Sequence, residues 1–188
     1  MTRAHRLRTL RRASVAACCA AAVFLGAMPT AAVASPALSV ASQPSSPSRA
    51  GHFAPYPGGV SPQTESSNIS AGGCTYRQAV DDPHLSGGET SVHGWWIKVS
   101  GSCPDKSDVS VNLQGYFCDS FSCYWVTVGS GSGRYYPGGG SGQRATGRKA
   151  CSNSSTVGWR GVVDVDLPGI IDPSGTTTGT IQNLACSP

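Results

Sequence analysis

The sequence predicts an all-β protein: an antiparallel two-sheet sandwich of about seven strands, stabilised by disulfides. Short β-branched and aromatic runs alternate apolar with polar residues, and clusters of Gly, Ser, Asp and Pro separate them. From Cys74 onward the chain carries no convincing 3.6-residue apolar period. Six cysteines are spread through the same strand-rich part of the chain.

The chain opens on a leader. Arg3, Arg6, Arg8, Arg11 and Arg12 precede an apolar run from Ala13 to Met28, then Pro29, and Ala32-Val33-Ala34 supplies the small residues a signal peptidase accepts. Residues 1–34 therefore read as a secretory signal peptide, and the protein as secreted. The apolar run is about 16 residues, short of the ~20 that span a bilayer, so no membrane association is expected after cleavage. Val15-Ala16-Ala17-Cys18 resembles a lipid-attachment box, but a cut there would strand the apolar residues Ala20 to Met28 on the mature protein. Arg11-Arg12 suggests the twin-arginine route, yet Ala13 and Ser14 lack the bulky apolar pair that route favours.

Removing the leader changes the charge. Five of the 14 basic residues go with it, so nine face ten acids, and the net charge falls from +4 to about −1. That balance removes the electrostatic case for a nucleic-acid partner.

Residues 35–73 are rich in Ser, Pro, Ala and Gly and poor in bulky apolar side chains, so they read as a flexible spacer. Phe53 and Tyr56, beside Pro55 and Pro57, belong on this reading to a solvated extended tail. The folded domain is expected over residues 74–188, starting with a strand at Cys74 to Val80. In the run Thr90 to Val99, Trp95, Ile97 and Val99 share a face that is taken as the core side. Asp108 to Phe117 places Val109, Val111, Leu113 and Phe117 against Ser110, Asn112, Gln114 and Tyr116. Cys123 to Val128 and Arg144 to Cys151 follow. Thr156 to Leu167 sets Val157, Trp159, Val163, Val165 and Leu167 against Arg160, Asp164 and Asp166, and a threonine-rich strand from Thr176 to Cys186 closes the chain.

Of eight cysteines, Cys18 and Cys19 fall in the leader. An even remainder in a small exported chain reads as three disulfides. Six cysteines allow fifteen pairings. Position favours Cys118–Cys123 across a turn, Cys151–Cys186 clamping the last strand, and Cys74–Cys103 tying the domain start to the end of the first long strand. A zinc site is the alternative, but no second close pair or nearby histidine completes a tetrahedron around Cys118 and Cys123.

The leader, Cys74, Pro83-His84, Cys103, Cys151, Trp159-Arg160 and the closing Cys186 together resemble the small immunoglobulin-like β-sandwich secreted proteins of unknown function from high-GC Gram-positive bacteria. The resemblance covers residues 74–188 and implies an immunoglobulin-like fold without implying an activity. The extra Cys118/Cys123 pair departs from it.

Catalytic constellations are weak. Asp81-Asp82-Pro83-His84 gathers two carboxylates and an imidazole, but Asp-Pro reads first as a turn, and His93 as a partly buried strand residue. Gly129-Ser130-Gly131 and Gly140-Ser141-Gly142 only mimic fragments of a nucleophile elbow. Asp164 and Asp166 share a strand face as glycosidase carboxylates do, with nothing in the sequence to raise either pKa. No catalytic residue, metal ligand or cofactor is assigned.

Two binding surfaces are expected. If Trp95 faces the core, Trp96 faces out beside Lys98, and with Tyr116 it forms a platform for a sugar ring or a protein partner. The glycine-rich loop from Gly129 to Gly147 adds Arg134, Tyr135, Tyr136 and Arg144, with Arg148 just beyond, a set suited to an anionic glycan. The sequence thus predicts a monomeric, non-catalytic extracellular module that binds polysaccharide or protein. The alternatives are a small extracellular hydrolase, and an inhibitor or toxin-like module acting through the glycine-rich loop.

Overall fold

The computed structural model of the protein describes residues 50–58 and 65–188; the leader and the rest of the spacer lie outside the described residues. Every regular element described is a strand: β1 (His52–Phe53), β2 (Ile69–Ala71), β3 (Cys74–Val80), β4 (His84–Ser86), β5 (Glu89–Gly101), β6 (Ser107–Cys118), β7 (Cys123–Tyr135), β8 (Ala145–Ala150), β9 (Asn153–Asp166), β10 (Thr177–Thr178) and β11 (Gln182–Ser187). They form two antiparallel sheets. One runs β1-β6-β9-β10, with β7 on the other edge of β6 and β11 on β9; the second runs β2-β3-β5-β4, with β8 on β5.

The core lies between the sheets. Tyr76, Val80, Val92 and Trp96 from the second sheet meet Val109, Val111, Leu113, Val157, Trp159, Val163 and Val165 from the first, none more than 2% exposed. Each such side chain contributes roughly 1.5–3 kcal/mol when fully buried. The two buried indoles also satisfy their N–H groups: Trp96 Nε1 donates to Tyr135 O at 2.9 Å and Trp159 Nε1 to Cys186 O at 3.1 Å. In β6 and β9 the residues read as apolar do face inward.

In β5 the phase is the reverse of that expected. Val92, Gly94 and Trp96 face the core, while Trp95 and Ile97 are half-buried on the other side and Val99 is exposed. The reason is steric. A Cβ on Gly94 would sit 2.7 Å from Val163 Cγ2 and 3.0 Å from Val111 Cβ, so glycine marks the point where β5 presses on β6 and β9. Trp95 lies instead beneath the β7–β8 connection, against Gly139.

The spacer reading fails for its described residues. β1 pairs with the end of β6, Phe53 packs on the core, and Ala54 bonds both Tyr116 O and Gly158 N. β2 pairs with β3, and Glu65 bridges to Ala79. The aromatic and apolar residues scattered through this segment were enough to dock it, because β6 and β9 leave an edge open where they part.

The expected loop from Gly129 to Gly147 is also corrected. Its first part extends β7 to Tyr135, and β8 begins at Ala145. Gly129 and Gly131 face β8, where a Cβ would lie 2.2 Å from Arg148 O and 2.0 Å from Thr146 O. Alternate glycines here are what let two strands of different sheets touch backbone to backbone.

Disulfides join Cys74 to Cys103, Cys118 to Cys123 and Cys151 to Cys186, across 29, 5 and 35 residues. The loop-entropy term grows with span, so the pair Cys151→Ser/Cys186→Ser is expected to cost about 4 kcal/mol and Cys118→Ser/Cys123→Ser about 2. Urea unfolding of the two double variants checks the order.

Candidate functional site

The outer face of the six-stranded sheet is a continuous polar strip that ends in aromatic rings. Period-2 alternation turns Asp108, Ser110, Asn112, Gln114 and Tyr116 of β6 away from the core. Register sets Arg134, Ser132, Ser130, Thr127 and Trp125 of β7 on one side of them, and Asp166, Asp164, Val162 and Arg160 of β9 on the other. A bulge opposite Leu113/Gln114 keeps Trp125 and Thr127 on this face although Ser130 to Arg134 fall on even numbers. From Asp108 to Tyr116 the strip is about 27 Å long at the usual strand rise.

At the aromatic end, Tyr56, Tyr116 and Trp125 form a cluster with ring centroids 5.1–5.5 Å apart. Tyr56 is brought there by the docked segment. Its backbone N–H donates to Asn183 Oδ1 at 2.9 Å, Asn183 Nδ2 donates back to its carbonyl at 3.2 Å, and Gly158 leaves room for it where a Cβ would lie 2.7 Å from Tyr56 Cβ. The guanidinium of Arg160 lies over the Trp125 ring, 4.5 Å from its centroid, and its Nε donates to Gln114 Oε1 at 2.8 Å. Burial pulls the Arg160 pKa down from its ordinary value, with the nearby Tyr56 acting the other way. The group still carries its charge at neutral pH, because arginine starts so high. Among the described residues it has no carboxylate partner within salt-bridge distance.

The opposite end is ionic. Arg134 holds Asp108 through two bonds, Nε to Oδ1 at 2.7 Å and Nη2 to Oδ2 at 2.6 Å, and these keep the carboxyl below the usual range. An open groove of about 350 Å³ is lined there by Asp108, Ser110, Ser132, Arg134 and Asp166. Beside it the Asp164 pKa is raised, first by burial and then by the charge of Asp166. Alternation along β9 alone does not predict that shift, which depends on how deeply the folded sheet buries the side chain.

The expected binding residues do not gather on one surface. Trp96 is in the core, so its role in the platform is overturned; Trp125 and Tyr56 stand beside Tyr116 in its place. Arg134 lies on the strip. Tyr135 is half-buried against the core, while Tyr136 is half-exposed with the Lys106 ammonium 4.5 Å from its ring centroid. Arg144 is half-buried just before β8. Arg148 is on the other sheet, 3.8 Å from Glu89. Arg134 and Arg148 are each spoken for by an acid.

A second cluster forms on the outer face of the five-stranded sheet. Asp81-Asp82-Pro83 is not a simple turn but an irregular insert in one long edge: β3 pairs β5 up to Val80↔Gly94, and β4 resumes at His84↔Ser91. The pairing slips by one residue across it, so Asp81 and His84, three apart, point to the same side as His93. His93 Nδ1 lies 2.6 Å from Asp81 Oδ2, and its backbone N–H donates to Asp81 Oδ1 at 2.6 Å. The His84 ring stacks on that of His93, with centroids 5.3 Å apart. His93 is only 6% exposed although it points away from the core. One signal for this grouping was present in the sequence: Gly87-Gly88, both with positive φ, closes a two-residue hairpin whose register carries His84 back toward His93. An Asp–His pair is half of a serine-hydrolase relay, but the nearest candidate nucleophile on this strand face, Ser91, bonds neither ring; its Oγ is buried without a hydrogen-bond partner.

No protein-family model, curated protein or solved structure matches this chain.

A carboxyl whose pKa is higher folded than unfolded penalises the fold once it ionises, and stability from it returns as pH falls. Asp164→Asn is therefore expected to raise Tm at pH 7 by roughly 1–3 °C, with the gain shrinking as pH approaches ~3. Asp108→Asn, which removes the depressed partner of Arg134, should do the reverse: a loss at pH 7 that fades in acid. Thermal melts of both variants across pH check the signs.

Proposed function

We propose that the protein is an exported, non-catalytic binding module that holds a polysaccharide chain along the outer face of its six-stranded sheet. The observation that carries this reading is the Tyr56–Tyr116–Trp125 cluster with Arg160 laid over it, a guanidinium with no carboxylate within salt-bridge distance among the described residues. Aromatic rings suit the C–H faces of sugars, and a guanidinium that meets no carboxylate among the described residues favours a ligand that brings its own acidic group. Beyond it, Gln114, Asn112, Ser110 and Ser132 line the strip with hydrogen-bonding groups for successive hydroxyls. The ligand class is thus a glycan with carboxylate or phosphate substituents.

Export is supported by the leader and by three disulfides, which persist in oxidising compartments. No helix among the described residues is long and apolar enough to cross a membrane. The immunoglobulin-like reading is supported by strand order: β3-β5-β8 follow the A-B-E pattern and β7-β6-β9-β11 the C′-C-F-G pattern.

Trp125→Ala and Arg160→Ala are each expected to weaken retention on an acidic polysaccharide by about 30-fold, the loss of a ~2 kcal/mol contact. Trp96→Ala should instead lower stability by about 3–5 kcal/mol. Affinity electrophoresis in acidic and neutral polysaccharides, paired with urea unfolding, separates the two effects. Equal retention of wild type and Arg160→Ala in every gel would defeat the acidic-glycan reading. Intact mass of the exported protein is expected to place its first residue at Ser35.

A hydrolase is the second reading, favoured only by the raised Asp164 beside Asp166 on the same strip. Release of reducing ends from a retained polysaccharide, abolished in Asp164→Asn, would support it.

A further inference from the structure

We infer that Asp81, His84 and His93 form a binding site for a divalent transition-metal ion of the Zn²⁺ type, on the sheet face opposite the polysaccharide strip. The three residues each offer one ligand atom, and these atoms lie within 4.8 Å of one another. Two imidazoles and one carboxylate are the donors that borderline ions such as Zn²⁺, Ni²⁺ and Cu²⁺ prefer, whereas Ca²⁺ and Mg²⁺ take oxygen alone. Tetrahedral ligands around zinc sit closer together than 4.8 Å, so the partly exposed Asp81 and His84 side chains would turn toward the buried His93 to bring the donors into range.

The rings are also held as ligands usually are. His84 Nδ1 lies 2.9 Å from Asp82 O, and a carbonyl can only accept, so Nδ1 carries the hydrogen and Nε2 keeps its lone pair. The His93 ring is held by one contact, Nδ1 to Asp81 Oδ2 at 2.6 Å, while its backbone N–H donates to Asp81 Oδ1. The backbone does the placing. The one-residue slip at Asp81-Asp82-Pro83 turns Asp81 and His84 to one side, and the Gly87-Gly88 hairpin sets His84 opposite Ser91, two residues from His93. Pro83 occupies the insert with its side chain buried, which stiffens the segment between two of the three donors. Ser91 Oγ, buried on the same strand face and without a partner, offers a hydrogen-bonding group to water carried by the ion.

The test is titration of the purified chain with ZnCl₂, followed by calorimetry and by Tm. The expected result is one saturable site whose occupancy raises Tm. His84→Ala should weaken it at least tenfold, Asp81→Asn about 10- to 100-fold, and His52→Ala, a histidine on the other sheet, not at all. Absence of saturable binding overturns the proposal, as does weakening of less than tenfold in His84→Ala. His84 is half-exposed and leaves the core untouched, so this variant folds if the wild type does. Histidine-ring NMR of the wild-type chain gives a readout that needs no variant: the His84 and His93 resonances must shift on adding Zn²⁺ while His52 stays in place. Shifts confined to His52, or none, overturn it as well.

Discussion

The contact of Gly94 with Val111 and Val163 sets the geometry on which both candidate sites depend. Two sheets carrying Trp96 and Trp159 between them cannot close unless some positions lack a side chain, and Gly94 on β5 and Gly161 on β9 supply that space; a Cβ on Gly161 would press to 2.5 Å from Val92 Cγ2. Once Gly94 must face inward, strand alternation leaves no freedom. Val92 and Trp96 go inward with it, and His93 and Trp95 go outward. Filling that space with even a methyl group would force the sheets apart or flip the strand, and a one-residue flip would exchange every side chain of β5 between core and surface. The His93 cluster and the exclusion of Trp96 from any ligand surface are therefore two consequences of a single steric fact.

The same economy of side chains shapes the other sheet. β7 is bonded to β6 along its whole length, yet Gly129 and Gly131 let it lean on the backbone of β8 in the second sheet. With Gly129, Gly131 and Gly133 on its inner face between Val128 and Tyr135, β7 keeps its polar chemistry on the outer face, where Trp125, Thr127, Ser130, Ser132 and Arg134 stand in line. The docked segment around Tyr56 extends this face at one end. It lies in the gap where β6 and β9 separate, and it is held by backbone bonds to both. A segment that arrives from the N-terminal side thus supplies one of the three rings of the aromatic cluster, and shortening the chain to begin at Cys74 would remove it.

How much of this was legible follows from which rule governed each element. β6 and β9 have one greasy and one polar face, so alternation alone oriented Val109 to Leu113 and Val157 to Leu167 correctly, and with them Tyr116, Arg160 and Asp164. β5 is apolar or aromatic on both faces, and there alternation has two solutions. Large side chains favour one of them, whereas packing selects the one with Gly94 inward. The segment before Cys74 reads as a spacer because composition averages over its few anchors, Phe53, Tyr56 and Ile69, whose partners lie elsewhere in the chain. The alternate glycines of β7 read as a loop because glycine is a loop former unless another backbone comes close, and that approach is a tertiary event. The histidine cluster was hidden by a one-residue slip, which no face-counting scheme contains unless the Gly87-Gly88 hairpin is used to set the register first.

The two candidate sites lie on opposite outer faces with the hydrophobic core between them, and that placement has a mechanical meaning. The histidine cluster joins the insert between β3 and β4 to β5, so an ion there would brace an edge whose pairing is interrupted. The aromatic cluster joins β6, β7 and the docked segment, and shares no residue with it. Between them the Trp96 and Trp159 indoles are each hydrogen-bonded and fully buried in the close-packed core that separates the two faces. What the fold holds is two separate groups on one frame: the histidine cluster, which ties the insert after β3 to β5, and the outer face of the six-stranded sheet, where the charge of Arg160 lies beside the aromatic rings.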